Sequence, residues 1–234
     1  MKIGIIAAMS GELKPLVRGW ERVAAGEAGV RLWRRAEDDH QFEAGCGGMG
    51  AEAARRCFVA MEAHGTLDGV VSVGWAGALV DSIGAGESSP VSEVIDAQTG
   101  ERFSMEGGSS QRILVTTARV ADSREKQRLR ESYGAVMVDM EAAAVARLAQ
   151  MREIPMWCFK AVSDGLHAEL PDLNPFISSR GQLNMLPFLW HVAVRPRFWR
   201  PLAQLGGNSS AGAKKLALRV EEFLRDAGTK EALG

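Results

Sequence analysis

Short apolar runs that stop abruptly at carboxylates constrain this chain more than any other feature. Val136-Met137-Val138 runs into Asp139-Met140-Glu141, and Phe159-Lys160-Ala161-Val162 runs into Ser163-Asp164. The opening run, Ile3-Gly4-Ile5-Ile6-Ala7-Ala8-Met9, is followed after a short turn by Glu12. Runs of this length and apolarity read as buried strands, and strands buried on both faces need helices over both. Open α/β sheets bind ligands in the crevice beyond the carboxyl ends of their strands. Acids at three such ends therefore point to a site, and to an enzyme. Three of these acids also have a structural reading: Asp139 and Glu141 as caps of a following helix, Asp164 as a turn former.

The rest of the chain alternates strand-like and helical stretches. Ala51–Ala63 is alanine-rich and helical, with Gly65 as its stop. Val70–Val73 is a short strand running into Gly74-Trp75-Ala76-Gly77, and Arg112–Thr116 is another. Asp122 and Glu125 form a capping-box signature for a helix. Ala142–Gln150 reads as helix and Met156–Val162 as strand. Val23–Trp33 and His40–Ala44 are more mixed and suit a hairpin or edge strands. Ser82–Gln111, rich in Gly and Ser, reads as loops with one short strand at Val91–Ile95. Leu216–Leu224 closes the chain as an amphipathic helix. Strand and helix in repeated order predict a mostly parallel sheet covered on both faces.

Composition narrows the partners. At 234 residues, 46% apolar and 24% charged, the chain suits one globular domain spanning 1–234. A net charge of -1 offers no whole-domain footprint for nucleic acid. Cys46, Cys57 and Cys158 are odd in number and lack CxxC spacing, as in reduced cytoplasmic thiols. His64, His167 and His191 are scattered without a metal-ligand spacing. No run approaches the ~18 apolar residues that span a bilayer, and Ile3–Met9 reads as a first strand rather than a secretory signal. The expectation is a cytoplasmic protein.

Gly45-Cys46-Gly47-Gly48-Met49-Gly50 satisfies G-x-G-x-x-G ahead of a helix, with Asp68 farther on, the pattern of a dinucleotide fingerprint. The strand signal before it is poor, which favours a glycine loop held close to a phosphate, ribose or water. Gly74-Trp75-Ala76-Gly77 is either a surface for a flat ligand or a tight turn with Trp75 in the core. Phe188–Leu202 interleaves aromatic and basic residues. It reads as a helix–turn covering the sheet, or as an interfacial patch for a lipid-like substrate.

Taken in order, these motifs resemble the methylthioadenosine/S-adenosylhomocysteine nucleosidases of the purine nucleoside phosphorylase superfamily. The resemblance covers residues 1 to about 170. It rests on the opening strand with Glu12, the loop Gly47-Gly48-Met49-Gly50, the turn Gly74–Gly77, Asp139-Met140-Glu141 and Ser163-Asp164. The last third, with Arg195-Pro196-Arg197 before an Ala/Leu/Arg helix, is more loosely similar to the hopanoid-biosynthesis-associated phosphorylases. The resemblance implies a three-layer α/β/α sandwich around a mixed, largely parallel, partly closed sheet. It implies that Asp164 protonates a purine and that Glu12 orients or activates the nucleophile. Met140 and Glu141 would hold the ribose, and the backbone of Val120 and Ala121 would face the base. Asp139, Trp75, Ala76, Gly77, Ser163, Lys160, Gly48 and Met49 fall within the same pocket motifs. Trp75 stands for the family's small Ser, Val120 for an aromatic, and Lys160 for an Arg beside the nucleophile.

The chemistry is consistent with those residues. Breaking an N-glycosidic bond passes through an oxocarbenium-like sugar, and a purine leaves best when an acid protonates its ring. Glu12 supplies the second carboxylate. No metal or organic cofactor is needed, and inorganic phosphate is the alternative nucleophile to water, with Lys160 and Arg119 as its candidate cations. The expected partners are a purine nucleoside and a second copy of the chain in a homodimer or larger assembly. The other reading is a non-catalytic nucleoside-binding or hopanoid-pathway accessory protein on the same scaffold.

Overall fold

The computed structural model describes residues 1–107, 111–168 and 170–231. Its elements in chain order are β1 (Lys2–Ala7), α1 (Ser10–Leu13), β2 (Glu21–Val23), β3 (Arg31–Glu37), β4 (His40–Cys46), α2 (Ala51–Glu62) and β5 (Gly69–Ala78). Then follow β6 (Ser88–Pro90), β7 (Glu93–Asp96), β8 (Arg102–Ser104), β9 (Ile113–Thr116), α3 (Ser123–Tyr133) and β10 (Met137–Asp139). The chain ends with α4 (Ala142–Met151), β11 (Met156–Asp164), α5 (Met185–Ala193) and the long α6 (Trp199–Glu231).

β1 is buried along its whole length, as its unbroken apolar run requires. Ile3, Ile5 and Ala7 pack with α1 and α6, while Ile6 packs with α2. β1 lies between β4 and β5, parallel to both, and β5 also pairs in parallel with β11. β10, β9 and β7 form a second parallel run. The two parallel runs meet at the antiparallel β5–β10 pair in the middle of the sheet, and further antiparallel pairs lie toward the edges, β2–β3–β4 and β7–β8, with β6 against β11. The sheet is therefore mixed and largely parallel. It is not fully closed.

Helices form the outer layers. α2 and α4 cover one face through Cys57, Phe58, Met61, Val145 and Ala149. α1 and α6 cover the other through Leu13, Leu216, Val220 and Leu224. α3 closes a third cluster with Leu129 against Leu79, Ile95 and Val138. Asp122 caps α3 by accepting from the Glu125 N–H at 2.8 Å. The reciprocal half of the capping box is replaced by Glu125–Arg128 pairing. The three cysteines are free and buried.

Three stretches differ from the sequence reading. Ser82–Gln111 carries β6, β7 and β8 rather than one strand, because short edge strands of three or four residues leave little periodicity. Gly74–Gly77 is no turn. β5 runs through it, paired with β11 from Met156↔Val70 to Asp164↔Gly77. Finally, α6 starts at Trp199 and passes through Gly206, Gly207 and Gly212. A Cβ at Gly212 would lie 3.0 Å from the Ala161 Cβ, so the missing side chain lets α6 sit directly on β11.

Candidate active site

At Gly74 the backbone kinks with φ +145. β1 pairs with β5 only as far as Ser72, and beyond the kink β10 takes over at Gly77 and Ala78. The strands part here, and a cavity of about 1430 Å³ opens beyond their carboxyl ends. It exceeds the ~300–1,000 Å³ usual for a small-ligand pocket. Ala76, Gly77, Trp75, Met49, Val120, Ala121, Met140 and Ser163 border it, as do all four acids singled out in the sequence.

Glu12 is held at the kink. Its Oε2 accepts from the Met9 N–H at 2.6 Å and its Oε1 from the Trp75 N–H at 2.7 Å. A Cβ at residue 74 would lie 2.7 Å from Oε1, so glycine is needed both for the positive φ and for the close approach of the acid. Burial raises the Glu12 carboxyl above its ordinary pKa, against the pull of these N–H donors and Lys160.

Glu141 lies at the start of α4 and reaches across to α2, where its Oε1 accepts from the Gly50 N–H at 2.6 Å. Burial, and then the nearby Asp139, raise its pKa. Its carboxylate occupies the helix N-terminus that a dinucleotide phosphate would take. The glycine loop is accounted for by this contact and by Gly48, whose N–H donates to Ala8 O at 2.9 Å. Gly48 itself does not border the cavity.

Asp139 takes the structural reading. Its Oδ1 accepts from Thr116 Oγ1 at 2.6 Å, and its Oδ2 accepts from the Ala142 N–H at 3.0 Å, capping α4. Oδ2 also meets Lys160 Nζ at 2.8 Å. Lys160 is 1% exposed and does not border the cavity. Burial pulls its pKa down, but Asp139, Cys158 and Glu141 outweigh that and raise it overall. The pair is a buried strut beneath the site.

Asp164 faces the cavity from a β-bulge, where the β11 register shifts between Val162 and Asp164. Such bulges re-aim a side chain. Its Oδ1 accepts from Ser163 Oγ at 2.6 Å, and its Oδ2 is 2.5 Å from Lys126 Nζ. Lys126 also donates to Gly165 O at 2.7 Å. A Cβ at position 77 would lie 3.0 Å from Lys126 Cε and 3.3 Å from Asp164 Oδ2, so the glycine lets this pair sit close against β5.

Several site residues escaped the sequence reading. Lys126 is 3% exposed and shares the buried stripe of α3 with Leu129 at i,i+3 spacing, which is the signal that marks it. Asn174 has no such signal. Its side-chain amide accepts from the Val120 N–H at 2.9 Å and donates to Val120 O at 3.1 Å, so it occupies the backbone predicted to face the base. Trp75 is half-buried rather than in the core, with its indole N–H donating to Ser209 O on α6 at 3.0 Å.

The fold has known counterparts. An apo 5'-methylthioadenosine nucleosidase from Arabidopsis thaliana superposes with a TM-score of 0.73 at 18% identity, covering 96% of this chain and 94% of that one. A Helicobacter pylori nucleosidase variant with 5'-methylthioadenosine in its active site gives 0.72 at 14%, covering 96% and 98%. Futalosine hydrolase from the same organism gives 0.72 at 14%, covering 97% and 98%. The fold is a nucleosidase fold. A sequence model of the phosphorylase superfamily matches residues 109–183, the span that carries Lys126, Asp139, Glu141 and Asp164. No curated protein matches the chain in sequence. The resemblance read from the motifs thus extends to the architecture of the nucleosidases over nearly the whole chain.

Proposed function

We propose that this chain cleaves the N-glycosidic bond of an adenine-type purine nucleoside, with water as the nucleophile. The observation that carries the reading is convergence: Glu12, Glu141 and Asp164 leave three different strand ends and border one cavity. The nucleosidase fold and the superfamily match support it.

In this reading Glu12 orients the water. Each of its oxygens accepts one backbone N–H, and a carboxylate has about four lone-pair sites, so acceptor capacity remains for a water proton. Glu141, fixed from behind by Gly50, binds the ribose hydroxyls, with Met140 alongside. As the bond to the base lengthens, positive charge grows on the sugar near these two acids while electrons flow into the purine. The imidazole nitrogen N7 becomes basic and takes a proton from Asp164. Lys126 supplies the counter-charge. Its ammonium lies against the carboxyl that would otherwise be left as an unpaired anion after transfer. Val17, Trp33, Leu170, Leu173 and Leu202 line the cavity beyond this core, which supports an apolar 5′ substituent larger than a bare nucleoside.

Phosphorolysis is the weaker variant, because Lys160 is engaged by Asp139, Lys126 is engaged by Asp164, and the other cavity cations Lys14, Arg18, Arg119 and Lys214 are exposed. A panel of adenine nucleosides assayed for released base, with and without phosphate, tests the proposal. Base release independent of phosphate is expected. Saturable nucleoside binding without base release would instead favour the accessory-protein reading.

A further inference from the structure

The helix α5 is apolar at every position but His191. Its inner face packs through Phe188, which meets Phe176 edge-on at 5.6 Å. Its outer face carries Leu186, Leu189, Trp190 and Ala193 at i, i+3, i+4 and i+7 spacing. A helix hydrophobic all round is ordinarily buried, yet Leu186 is 82% and Trp190 74% exposed, with Trp199 beside them at 55%. Met185, on the same helix, is half exposed and lines the cavity, so the apolar face borders the cavity mouth.

Charge identifies what covers this face. Residues 173–220 hold seven Lys and Arg and no acid, while the rest of the chain has 21 Lys and Arg against 29 acids. Arg195, Arg197 and Arg200 follow α5 directly in the chain and stand exposed. Among the described residues no carboxylate pairs with them. Arg195 donates to His191 O, and Arg197 lies over the Phe198 ring at 4.6 Å. A second copy of the chain docking here would set these arginines against their own counterparts, with no acid in the segment to offset them. An anionic lipid surface offers apolar depth for Leu186 and Trp190 and negative headgroups for the arginines.

We propose that this face docks on an anionic lipid bilayer and holds the cavity mouth at the membrane surface. Two tryptophans, Trp190 and Trp199, sit at headgroup level, and the chain lies on the bilayer without crossing it. Indeed no helix among the described residues is long and apolar enough to cross one. Flotation of the full chain with vesicles tests this, using phosphatidylcholine with and without phosphatidylglycerol. Binding is expected only to the anionic vesicles, weakening with added salt. Replacing Arg195, Arg197 and Arg200 together with Gln should weaken it by about a hundredfold, and Leu186→Glu with Trp190→Glu should abolish it. Because the arginines are exposed and no carboxylate among the described residues pairs with them, circular dichroism of the Gln variant should match wild type. That variant decides the matter if the Glu variant does not fold. Absence of binding to anionic vesicles would overturn the proposal, and so would undiminished binding by the variants. A lipid-independent dimer abolished by Leu186→Glu and Trp190→Glu would overturn it in favour of self-association.

Discussion

At the scale of single residues, the site depends on which oxygens are still available. Asp139 has its two oxygens engaged by Thr116, Ala142 and Lys160, so its part is to hold α4 and the floor. Asp164 and Glu12 have acceptor capacity left at the cavity. Asp164→Asn keeps the shape but cannot deliver a proton as a carboxylic acid does. General acid catalysis contributes ~10²–10⁴ in rate, so kcat should fall by that order while nucleoside binding survives. Glu12→Gln should fall similarly. Near-wild-type turnover by the Asn variant would leave Asp164 as a mere turn former, where Asn is a good substitute. A companion test concerns Asn174. If the base uses the Val120 backbone, it must first displace the Asn174 amide. Asn174→Ala should therefore lower KM with little change in kcat, and an unchanged or raised KM would place the base elsewhere. The acids were legible in the sequence because each ends an apolar run. Asn174 was not, and Lys126 showed only its place on the buried stripe of α3, since their partners lie 54 and 38 residues away and no local pattern records which contact the fold makes.

At the scale of elements, the informative strand is β5. The sequence marks its first half through Val70–Val73 but hides the second, because Gly74, Ala76 and Gly77 carry no strand propensity. They are small because neighbours approach closely: Glu12 at Gly74 and the Lys126–Asp164 pair at Gly77. Gly74→Ala is thus a test of the strand as a positioning device. The new Cβ meets Glu12 Oε1 at 2.7 Å, and the backbone keeps φ +145. Backbone strain of this kind is worth of order 1–3 kcal/mol. The variant should lose that much stability and most of its turnover while Asp164 stays in place. Equal stability and activity would mean that the kink relaxes freely and does not seat Glu12. α6 fails to show in the sequence for a related reason. Gly206, Gly207 and Gly212 interrupt its periodicity, and it persists across them because its apolar side, with Leu216, Val220 and Leu224, is buried against the sheet.

For the whole molecule, gathering acids in one cavity has a consequence for stability. Glu12 and Glu141 both have pKa values raised by burial, and Glu141 further by Asp139. In the unfolded chain a Glu ionises near its ordinary value of about 4.3. Above that pH the folded state therefore binds more protons than the unfolded one, and stability falls as pH rises toward the folded pKa values. Lys160 does not offset this. Its pKa is raised, so it is protonated in both states until pH approaches its unfolded value of about 10.4. Asp96 works in the opposite sense, its burial outweighed by the Arg147 guanidinium and backbone donors, but its contribution is lost only at more acid pH. From about pH 5 to about pH 7, then, urea midpoints should decline with increasing pH. Glu141→Gln, which cannot ionise, removes up to one proton's worth of that slope, about 1.4 kcal/mol per pH unit. The Gln variant should lose little at the lower pH and gain on wild type at the higher one. Parallel curves for the two proteins, with equal m-values, would show that Glu141 ionises alike in the folded and unfolded chain.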